Sequence, residues 1–300
     1  MHIIGHLKER KALHQNLGTL FSQAFLFYGP RGVGKSLCAL ELAALLALEP
    51  DFAPTNDKPH PFDVMVIRPL LVIKRGVTKM KKIPAEDIRD ALNFLGRFPA
   101  NGGFRTVVIE DAHRLSETAQ NVLLKTLEEP NHSTVIILVT HELGSILPTL
   151  LSRVKRVRFD FVEEEIIRHG LAEYFPQYRA EEVAPFFFAL GRPGMILAAL
   201  AKDSQFSAER EKLGTLFRLS TLSLSERLKL AEKLSTNADL TVRLLEWWLP
   251  GLYNQAKKIK EKHLTRRFYA LLEAVEQTIT LLKTTQSNTR LLLEKLFLSI

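Results

Sequence analysis

Along the first 160 residues, short apolar runs alternate with longer stretches in which apolar residues recur every three or four positions. The runs are rich in β-branched and aromatic residues, which is typical of buried strands. Strands that alternate with helices predict an α/β fold with a parallel sheet. The predicted strands are 23–28, 63–68, 106–109, 133–140 and 154–161, and the predicted helices are 35–48, 84–98 and 117–129.

The pattern changes after residue 161, where helical periodicity continues without any further strand-like run. We therefore predict three parts: an α/β domain over 1–160, a small helical unit over 161–203 and an all-α C-terminal domain over 204–300. The helices predicted in the second half are 162–175, 180–190, 224–234, 240–249 and 268–282.

The composition is that of a globular protein in a reducing compartment. Hydrophobic residues make up 46% and charged residues 25% of the 300 residues, and no window of 18 apolar residues is free of charge, which excludes a membrane span. Charges among the first ten residues argue against a signal peptide. The single cysteine, Cys38, excludes an internal disulfide and a cysteine-rich zinc site. We expect a cytoplasmic protein.

A complete phosphate-binding motif, G-x-x-x-x-G-K-[ST], lies between the first predicted strand and the helix that follows it. Its residues are Gly29, Pro30, Arg31, Gly32, Val33, Gly34, Lys35 and Ser36. Glycines let the backbone N–H groups turn toward phosphate oxygens, Lys35 reaches the β- and γ-phosphates, and the Ser36 hydroxyl binds Mg²⁺. The motif predicts ATP and Mg²⁺ as ligands; the alternative is a glycine-rich turn before an ordinary helix.

An acidic pair and a hydroxyl follow two later strands, where the second half of such a site is expected. Glu110 and Asp111 follow the strand 106–109. We predict that Glu110 orients the Mg²⁺ shell and that Asp111 polarises an attacking water. Thr140 ends the next strand, and its hydroxyl is expected near the γ-phosphate. The alternatives are a solvated acidic turn and a threonine that only caps its strand.

Five stretches of the chain resemble AAA+ subunits of the bacterial DNA polymerase III sliding-clamp loader, the delta-prime type most of all. They are 3–6 (IIGH), 25–30 (FLFYGP), 84–95 (PAEDIRDALNFL), 119–130 (AQNVLLKTLEEP) and 147–154 (LPTLLSRV). The resemblance implies an α/β P-loop NTPase fold of the AAA+ class, with the three parts named above as nucleotide-binding domain, lid and collar. It also implies a role in DNA replication, in which a ring of subunits opens the sliding clamp and loads it on primer-template DNA.

The same resemblance implies roles for two arginines. Arg153 matches the arginine that reaches the γ-phosphate of a neighbouring subunit, a role that suits a permanently charged, forked guanidinium. Arg89 matches an arginine that faces DNA phosphates inside the ring, by backbone contacts alone. The implied partners are gamma/tau-like and delta-like subunits, the clamp and DNA. Without the resemblance, Arg153 would be interpreted as an ordinary surface arginine in a basic run, and Arg89 as a solvated cation on its helix.

The chain departs from the family pattern at the acidic pair, which is Glu-Asp where active members have Asp-Glu. This exchange shifts each carboxylate by about one methylene, roughly 1.5 Å, and leaves hydrolysis at this chain's own site open. Two alternatives therefore remain: a non-hydrolysing scaffold subunit of the same ring, and another AAA+ ATPase that remodels DNA.

Zinc is not expected, because the segment 46–62 lacks the four-cysteine module of bacterial relatives and the histidines show no metal spacing. His113 follows the acidic pair and could line the site, but it is interpreted as a surface residue. By resemblance, Arg192 lies where AAA+ lids place a second nucleotide-sensing arginine, but it is interpreted as a turn residue. The net charge of +8 permits contact with a polyanion. The basic stretches 68–82 and 257–267 are interpreted as solvated faces that could also contact DNA.

Overall fold

The computed structural model describes residues 2–15, 23–48, 62–74, 77–100, 102–129, 131–178, 191–201, 204–258, 262–285 and 287–300. The chain divides into two units, Met1–Val162 and Glu163–Ile300. A further division of the second unit at residue 203, into lid and collar, stays a prediction.

The first unit is built on a parallel sheet whose strands coincide with the predicted apolar runs. They are β1 (Ala24–Tyr28), β2 (Val64–Ile67), β5 (Arg105–Ile109), β6 (Thr134–Thr140) and β7 (Lys155–Arg158). Their order is β2-β5-β6-β1-β7, and every neighbouring pair is parallel. A short, continuous apolar run predicts a strand that is covered on both faces. Every residue of β5 and β6 is indeed buried, which confirms the predicted α/β fold class.

The described α-helices of the first unit are α1 (Leu7–Gln15), α2 (Lys35–Leu46), α3 (Ala85–Leu95), α4 (Glu117–Glu128) and the short α5 (Pro148–Leu151). Three of them, α2, α3 and α4, lie where the sequence predicts them, and the two shorter ones, α1 and α5, were not predicted by range. The hydroxyl of Ser116 accepts a hydrogen bond from the backbone N–H of Ala119 at 3.1 Å and so caps α4. Pro130, which follows this helix, lies outside the described residues.

Two apolar clusters cover the two faces of the sheet, and alternate residues of each strand enter alternate clusters. Phe25 and Phe27 of β1 pack with α2, whereas Leu26, between them, packs with α3 and α4. Cys38 of α2 is buried in the first cluster, and burial raises the pKa of its thiol to about 12. It is therefore a core residue and not a reactive thiol.

A two-stranded antiparallel ribbon interrupts the α/β pattern and was not predicted. It consists of β3 (Leu71–Lys74) and β4 (Val77–Met80), with Leu71 opposite Met80 and Lys74 opposite Val77. Residues 75 and 76, between the two strands, lie outside the described residues. In the sequence this segment was noted only as a basic stretch, because each strand has just four residues and basic residues precede, separate and follow the two strands.

The second unit contains helices and a 3₁₀ turn, with no strand among its described residues. Its helices are α6 (Glu164–Tyr174), α7 (Pro193–Leu200), α8 (Ser204–Phe217), α9 (Leu224–Ser235), α10 (Ala238–Lys258), α11 (Lys262–Thr284) and α12 (Thr289–Leu298). The helix predicted over 180–190 lies outside the described residues. Over the ranges that the structure covers, none of the helices combines the length and the apolarity needed to cross a bilayer.

Candidate nucleotide-binding site

The phosphate-loop motif, the acidic pair and Thr140 lie at one edge of the sheet. Parallel strands end at a common edge, and the register places Tyr28, the last residue of β1, level with Thr140 of β6. Ile109, the last residue of β5, is level with Leu138. The residues that follow these strands therefore face the same crevice, which is where open α/β sheets bind their ligands.

The loop after β1 has a conformation that depends on its glycines. Gly29, Gly32 and Gly34 have φ angles of +138°, +81° and +109°, values that residues with a side chain rarely adopt. A Cβ on Gly29 would lie 1.9 Å from the carbonyl oxygen of Phe159, so no other residue fits there. The loop leads directly into α2, whose N-terminal N–H groups favour an anion.

Lys35 sits inside this loop with a side chain that is only 6% exposed. Its Nζ donates hydrogen bonds to the carbonyl oxygens of Gly29 at 2.8 Å and Pro30 at 2.6 Å. The ammonium is thereby held beside the backbone that would surround a phosphate. The Ser36 hydroxyl and the Glu110 carboxylate are hard oxygen ligands of the kind that Mg²⁺ prefers. These residues therefore fit a nucleotide phosphate and its Mg²⁺.

His6 contacts the backbone of the phosphate loop. Its Nε2 lies 2.9 Å from the carbonyl oxygen of Val33; because a carbonyl only accepts, Nε2 carries the proton. The His6 ring packs edge-on against Phe159, with centroids 4.9 Å apart. Burial lowers the pKa of His6, although the bond to Val33 and the charge of Glu9 act in the opposite direction. In the sequence, His6 stands out only through the resemblance of the stretch 3–6 to the family.

The lowered pKa of His6 predicts a loss of stability in mild acid. Below its ordinary pKa of about 6.5 the unfolded histidine takes up a proton that the folded one resists, so the free energy of unfolding falls as the pH drops from about 7.5 to about 5.5. In the folded chain the added charge would face Lys35 as well as Glu9 and Asp160. The substitution His6→Asn tests this, because asparagine tolerates the φ of +58° at this position and its side chain does not titrate.

We expect urea unfolding at these pH values to show a weaker pH dependence for His6→Asn than for the unmodified chain. Equal losses of unfolding free energy in both chains would show that another group is responsible.

Each carboxylate of the acidic pair already has a partner in this chain. Glu110 accepts from Arg68, with Nε 3.0 Å from Oε2. The Oδ1 of Asp111 lies 3.6 Å from Nδ1 of His141. Burial alone raises the pKa of Asp111, but the His141 imidazole and the charges of His113 and Arg31 lower it below its usual value. Asp111 is therefore ionised at neutral pH, and Arg31 of the loop is close enough to influence it.

Two histidines meet beside the acidic pair, which sequence analysis did not predict. The rings of His113 and His141 lie 4.2 Å apart in an edge-on arrangement. Burial lowers the pKa of His113 to about 4, so its ring is neutral at pH 7. His113 is half-buried beside the acidic pair, in agreement with the alternative that it lines the site. The positions that follow the ends of adjacent strands were the available signal, because such residues meet at one sheet edge.

Thr140 is fully buried, and its hydroxyl is used locally. Its Oγ1 accepts from the backbone N–H of Glu142 at 3.0 Å and lies 3.4 Å from Nδ1 of His113. The first contact is the capping role that the sequence left open. A role near the γ-phosphate stays a prediction.

Arg153 lies at the opposite edge of the sheet from the phosphate loop. It precedes β7, whose first residue, Lys155, is level with Phe25 near the start of β1. A strand of five residues spans about 17 Å, so the sheet separates Arg153 from its own chain's loop. Its exposed guanidinium donates to Oε1 of Glu128 at 2.7 Å and to the carbonyl of Thr149 at 3.0 Å.

Two further arginines that the sequence singled out lie elsewhere. Arg89 is exposed on α3, where Nη1 donates to Glu86 at 3.0 Å. Arg192 is buried in the second unit, and its Nη2 donates to the backbone carbonyl of Glu246 at 3.3 Å. The interpretation of Arg192 as a plain turn residue is therefore wrong, because it joins the start of α7 to α10.

Comparisons with known proteins relate this chain to subunits of DNA polymerase III. The family model described as DNA polymerase III, delta subunit matches residues 10–163, more than half of the chain. DNA polymerase III subunit delta' of Pseudomonas aeruginosa is 32% identical over 149 residues, which cover 48% of this chain and 45% of that protein. Subunit tau of Escherichia coli is 34% identical over 150 residues, 49% of this chain and 23% of that protein.

A crystal structure of a DNA polymerase III gamma subunit-related protein from Thermotoga maritima is 19% identical, with a TM-score of 0.49 over 96% of this chain and 97% of that one. The chain spans less than half the length of the two relatives from Pseudomonas and Escherichia. The match of the family model, over a segment that holds the whole loop, the acidic pair and Arg153, places this chain in the DNA polymerase III delta-subunit family.

Proposed function

We propose that this chain is a delta-prime-like subunit of a cytoplasmic DNA polymerase III clamp loader, which binds ATP with Mg²⁺ and offers Arg153 to a neighbouring subunit. The observation that carries the proposal is the placement of the phosphate loop and Arg153 at opposite edges of one sheet. A subunit with a binding loop on one side and a projecting guanidinium on the other can join like subunits in series, which is what a ring requires.

The chain's own residues perform the binding step. The N–H groups of the loop and of the start of α2 hold the phosphates, and Lys35 exchanges its loop carbonyls for phosphate oxygens. Ser36 and Glu110 supply oxygen ligands for Mg²⁺. Bound ATP with Mg²⁺ supplies an activated phosphoryl group. Nucleotide binding in the assembly then tightens the contacts between subunits and opens the clamp.

The charge of Arg153 is suited to action between subunits. A guanidinium stays protonated at every physiological pH and stabilises the charge that develops during phosphoryl transfer. The ion pair with Glu128, in which both side chains are exposed, holds the group weakly, because exposed pairs contribute about 0–1 kcal/mol. A neighbour's phosphates can therefore displace Glu128 at little cost.

A second candidate function is a scaffold subunit that binds nucleotide without hydrolysing it. The contact between Arg68 and Glu110 favours it, because this contact occupies the carboxylate that would orient Mg²⁺. The Glu-Asp order of the pair points the same way. In both candidates Arg153 acts on the neighbouring subunit, so the two differ only in the chemistry of this chain's own site.

The proposed partners are gamma/tau-like and delta-like subunits, the sliding clamp and primer-template DNA. Arg89 is exposed at the start of α3, where a cation and the N–H groups of a helix start together suit a phosphate. Glu86 beside it is displaced when DNA binds. Such a contact positions DNA without reading its bases.

The test is made in a loader reconstituted from this chain, its gamma/tau-like and delta-like partners, the clamp and primed DNA. Arg153→Ala is expected to lower DNA-stimulated ATP hydrolysis several-fold, because one of several sites in the ring loses its guanidinium. Binding of ATP to the isolated chain should not change. Arg158→Ala is the control, since Arg158 is an exposed arginine of the same unit that has its own carboxylate, Asp160, and lies at the other end of β7.

Other outcomes separate the candidates. If Lys35→Ala leaves hydrolysis and clamp loading unchanged in the reconstituted loader while Arg153→Ala reduces them, this chain is a scaffold. If Arg153→Ala behaves like Arg158→Ala, the guanidinium has no role between subunits. Assembly of the chain only with itself would contradict membership of a loader and favour another DNA-remodelling ATPase of the AAA+ class.

A further inference from the structure

Three potential metal ligands converge where β5 and β6 end. Asp111 and His113 belong to the turn after β5, and His141 follows β6, its direct neighbour in the sheet. One ligand atom from each residue lies within 4.8 Å of the others, and the closest described pair, Asp111 Oδ1 and His141 Nδ1, is 3.6 Å apart. All three side chains are half-buried. The cluster is therefore sheltered but reachable from solvent.

One of the three side chains carries an unsatisfied buried atom, which is a second observation independent of the clustering. Nε2 of His113 is buried and has no hydrogen-bond partner among the described residues. Buried polar atoms are nearly always paired, so such an exception needs an explanation such as an ion. The other ring nitrogen, Nδ1, lies 3.4 Å from Oγ1 of Thr140. A metal-binding histidine commonly uses its second nitrogen for an orienting contact of this kind.

The donor set selects the class of ion. Two imidazoles and one carboxylate are a known ligand combination for Zn²⁺, with a fourth position left for water or substrate. Bonds of about 2.0–2.1 Å place tetrahedral ligand atoms roughly 3.4 Å apart. The ligand atoms here lie within 4.8 Å of one another, so small rotations of the side chains must bring them closer when the ion binds. Mg²⁺ prefers oxygen ligands in octahedral geometry and is not suited to two imidazoles.

We propose that Asp111, His113 and His141 bind a transition-metal ion of the Zn²⁺ class at this edge of the sheet. The ion cross-links the turns after β5 and β6 and engages the Asp111 carboxylate directly. This site is separate from the Mg²⁺ that accompanies a nucleotide at Ser36 and Glu110. It does not depend on the proposed function, because a chain that binds no ATP still holds these three ligands.

The experiment measures metal binding to the whole chain without nucleotide. Calorimetric titration with Zn²⁺ is expected to show one ion per chain, and Co²⁺ in its place should give the visible ligand-field absorption of a low-symmetry, four-coordinate site. His113→Gln and His141→Gln should each weaken Zn²⁺ binding by about tenfold or more and reduce the Co²⁺ absorption. His169→Gln is the control, since His169 is exposed in the second unit beside Glu173.

Two further measurements keep the outcome decisive. Lys35→Ala should bind Zn²⁺ as the unmodified chain does even where it loses ATP, and excess Mg²⁺ should not displace Co²⁺. If the thermal transition shows that a histidine variant does not fold, Asp111→Asn replaces it as the ligand variant, because asparagine has nearly the same shape as aspartate. Unchanged Zn²⁺ binding in the folded variants, or the same loss in His169→Gln, overturns the proposal.

Discussion

Arg105→Met is expected to lower the free energy of unfolding of the first unit by about 3–5 kcal/mol. Arg105 is 4% exposed and Asp63 is fully buried, with Nε 3.1 Å from Oδ1. Removing the guanidinium leaves a carboxylate without its countercharge in the interior, which is among the most destabilising changes a single substitution makes. Methionine fills much of the same volume, so the loss reports charge rather than a cavity.

The surrounding contacts explain why this pair cannot simply be hydrated. The second oxygen of Asp63 accepts from the backbone N–H of Ala100 at 2.8 Å, and Nη1 of Arg105 donates to the carbonyl of Phe94 at 2.9 Å. The guanidinium also lies 4.6 Å from the centre of the Phe94 ring, a cation–π contact. The network joins the starts of β2 and β5 to the segment after α3, at the sheet edge opposite the phosphate loop.

Urea unfolding of the whole chain, followed at the transition of the first unit, checks this expectation. Arg158→Met is the control and should cost less than about 1 kcal/mol, because both Arg158 and Asp160 are exposed. A combined Asp63→Asn and Arg105→Met chain should lose less than the two single losses added together, since neither charge remains. A loss below about 1 kcal/mol for Arg105→Met would indicate that water reaches Asp63.

The Asp63–Arg105 pair also shows why some parts of the fold cannot be predicted from the sequence. Four of the five strands of the parallel sheet were predicted because each lies in a mostly apolar run, a signal carried by neighbouring residues. The fifth, β7, lies in the predicted run 154–161, in which four of the eight residues are charged. Asp63 and Arg105 are 42 residues apart, and no local period connects them; only the pairing of β2 with β5 does. The β3–β4 ribbon was missed for a different reason, since each of its strands has only four residues and lies within a stretch noted for its basic residues.

In the candidate site, too, groups that are neighbours in sequence were predicted and groups that meet only through strand pairing were not. The phosphate loop is eight consecutive residues, so the sequence alone predicts its chemistry. The groups that modify this chemistry come from other strands: Arg68 on Glu110, and His141 on Asp111. Their positions follow once the strand order is known, because residues after adjacent parallel strands meet. The same order explains why Arg153 lies far from its own loop.

Lys35→Ala is expected to weaken ATP binding to the isolated chain by about 100-fold, equivalent to about 2.7 kcal/mol. The ammonium is held within the loop by the carbonyls of Gly29 and Pro30, so little side-chain freedom remains to be lost on binding. Hydrogen bonds to a charged group contribute about 1.5–3 kcal/mol each, and a phosphate contacted by one ammonium accounts for a loss of this size.

The measurement is calorimetric titration of ATP in the presence of Mg²⁺, with Lys11→Ala as the control because Lys11 is exposed on α1. Thermal unfolding must show that the Lys35→Ala chain remains folded, since alanine also removes the donor to the two loop carbonyls. Tight ATP binding by a folded Lys35→Ala chain would mean that the loop amides alone hold the phosphates. Binding lost equally in Lys11→Ala would place the nucleotide elsewhere, because α1 does not contribute to the loop.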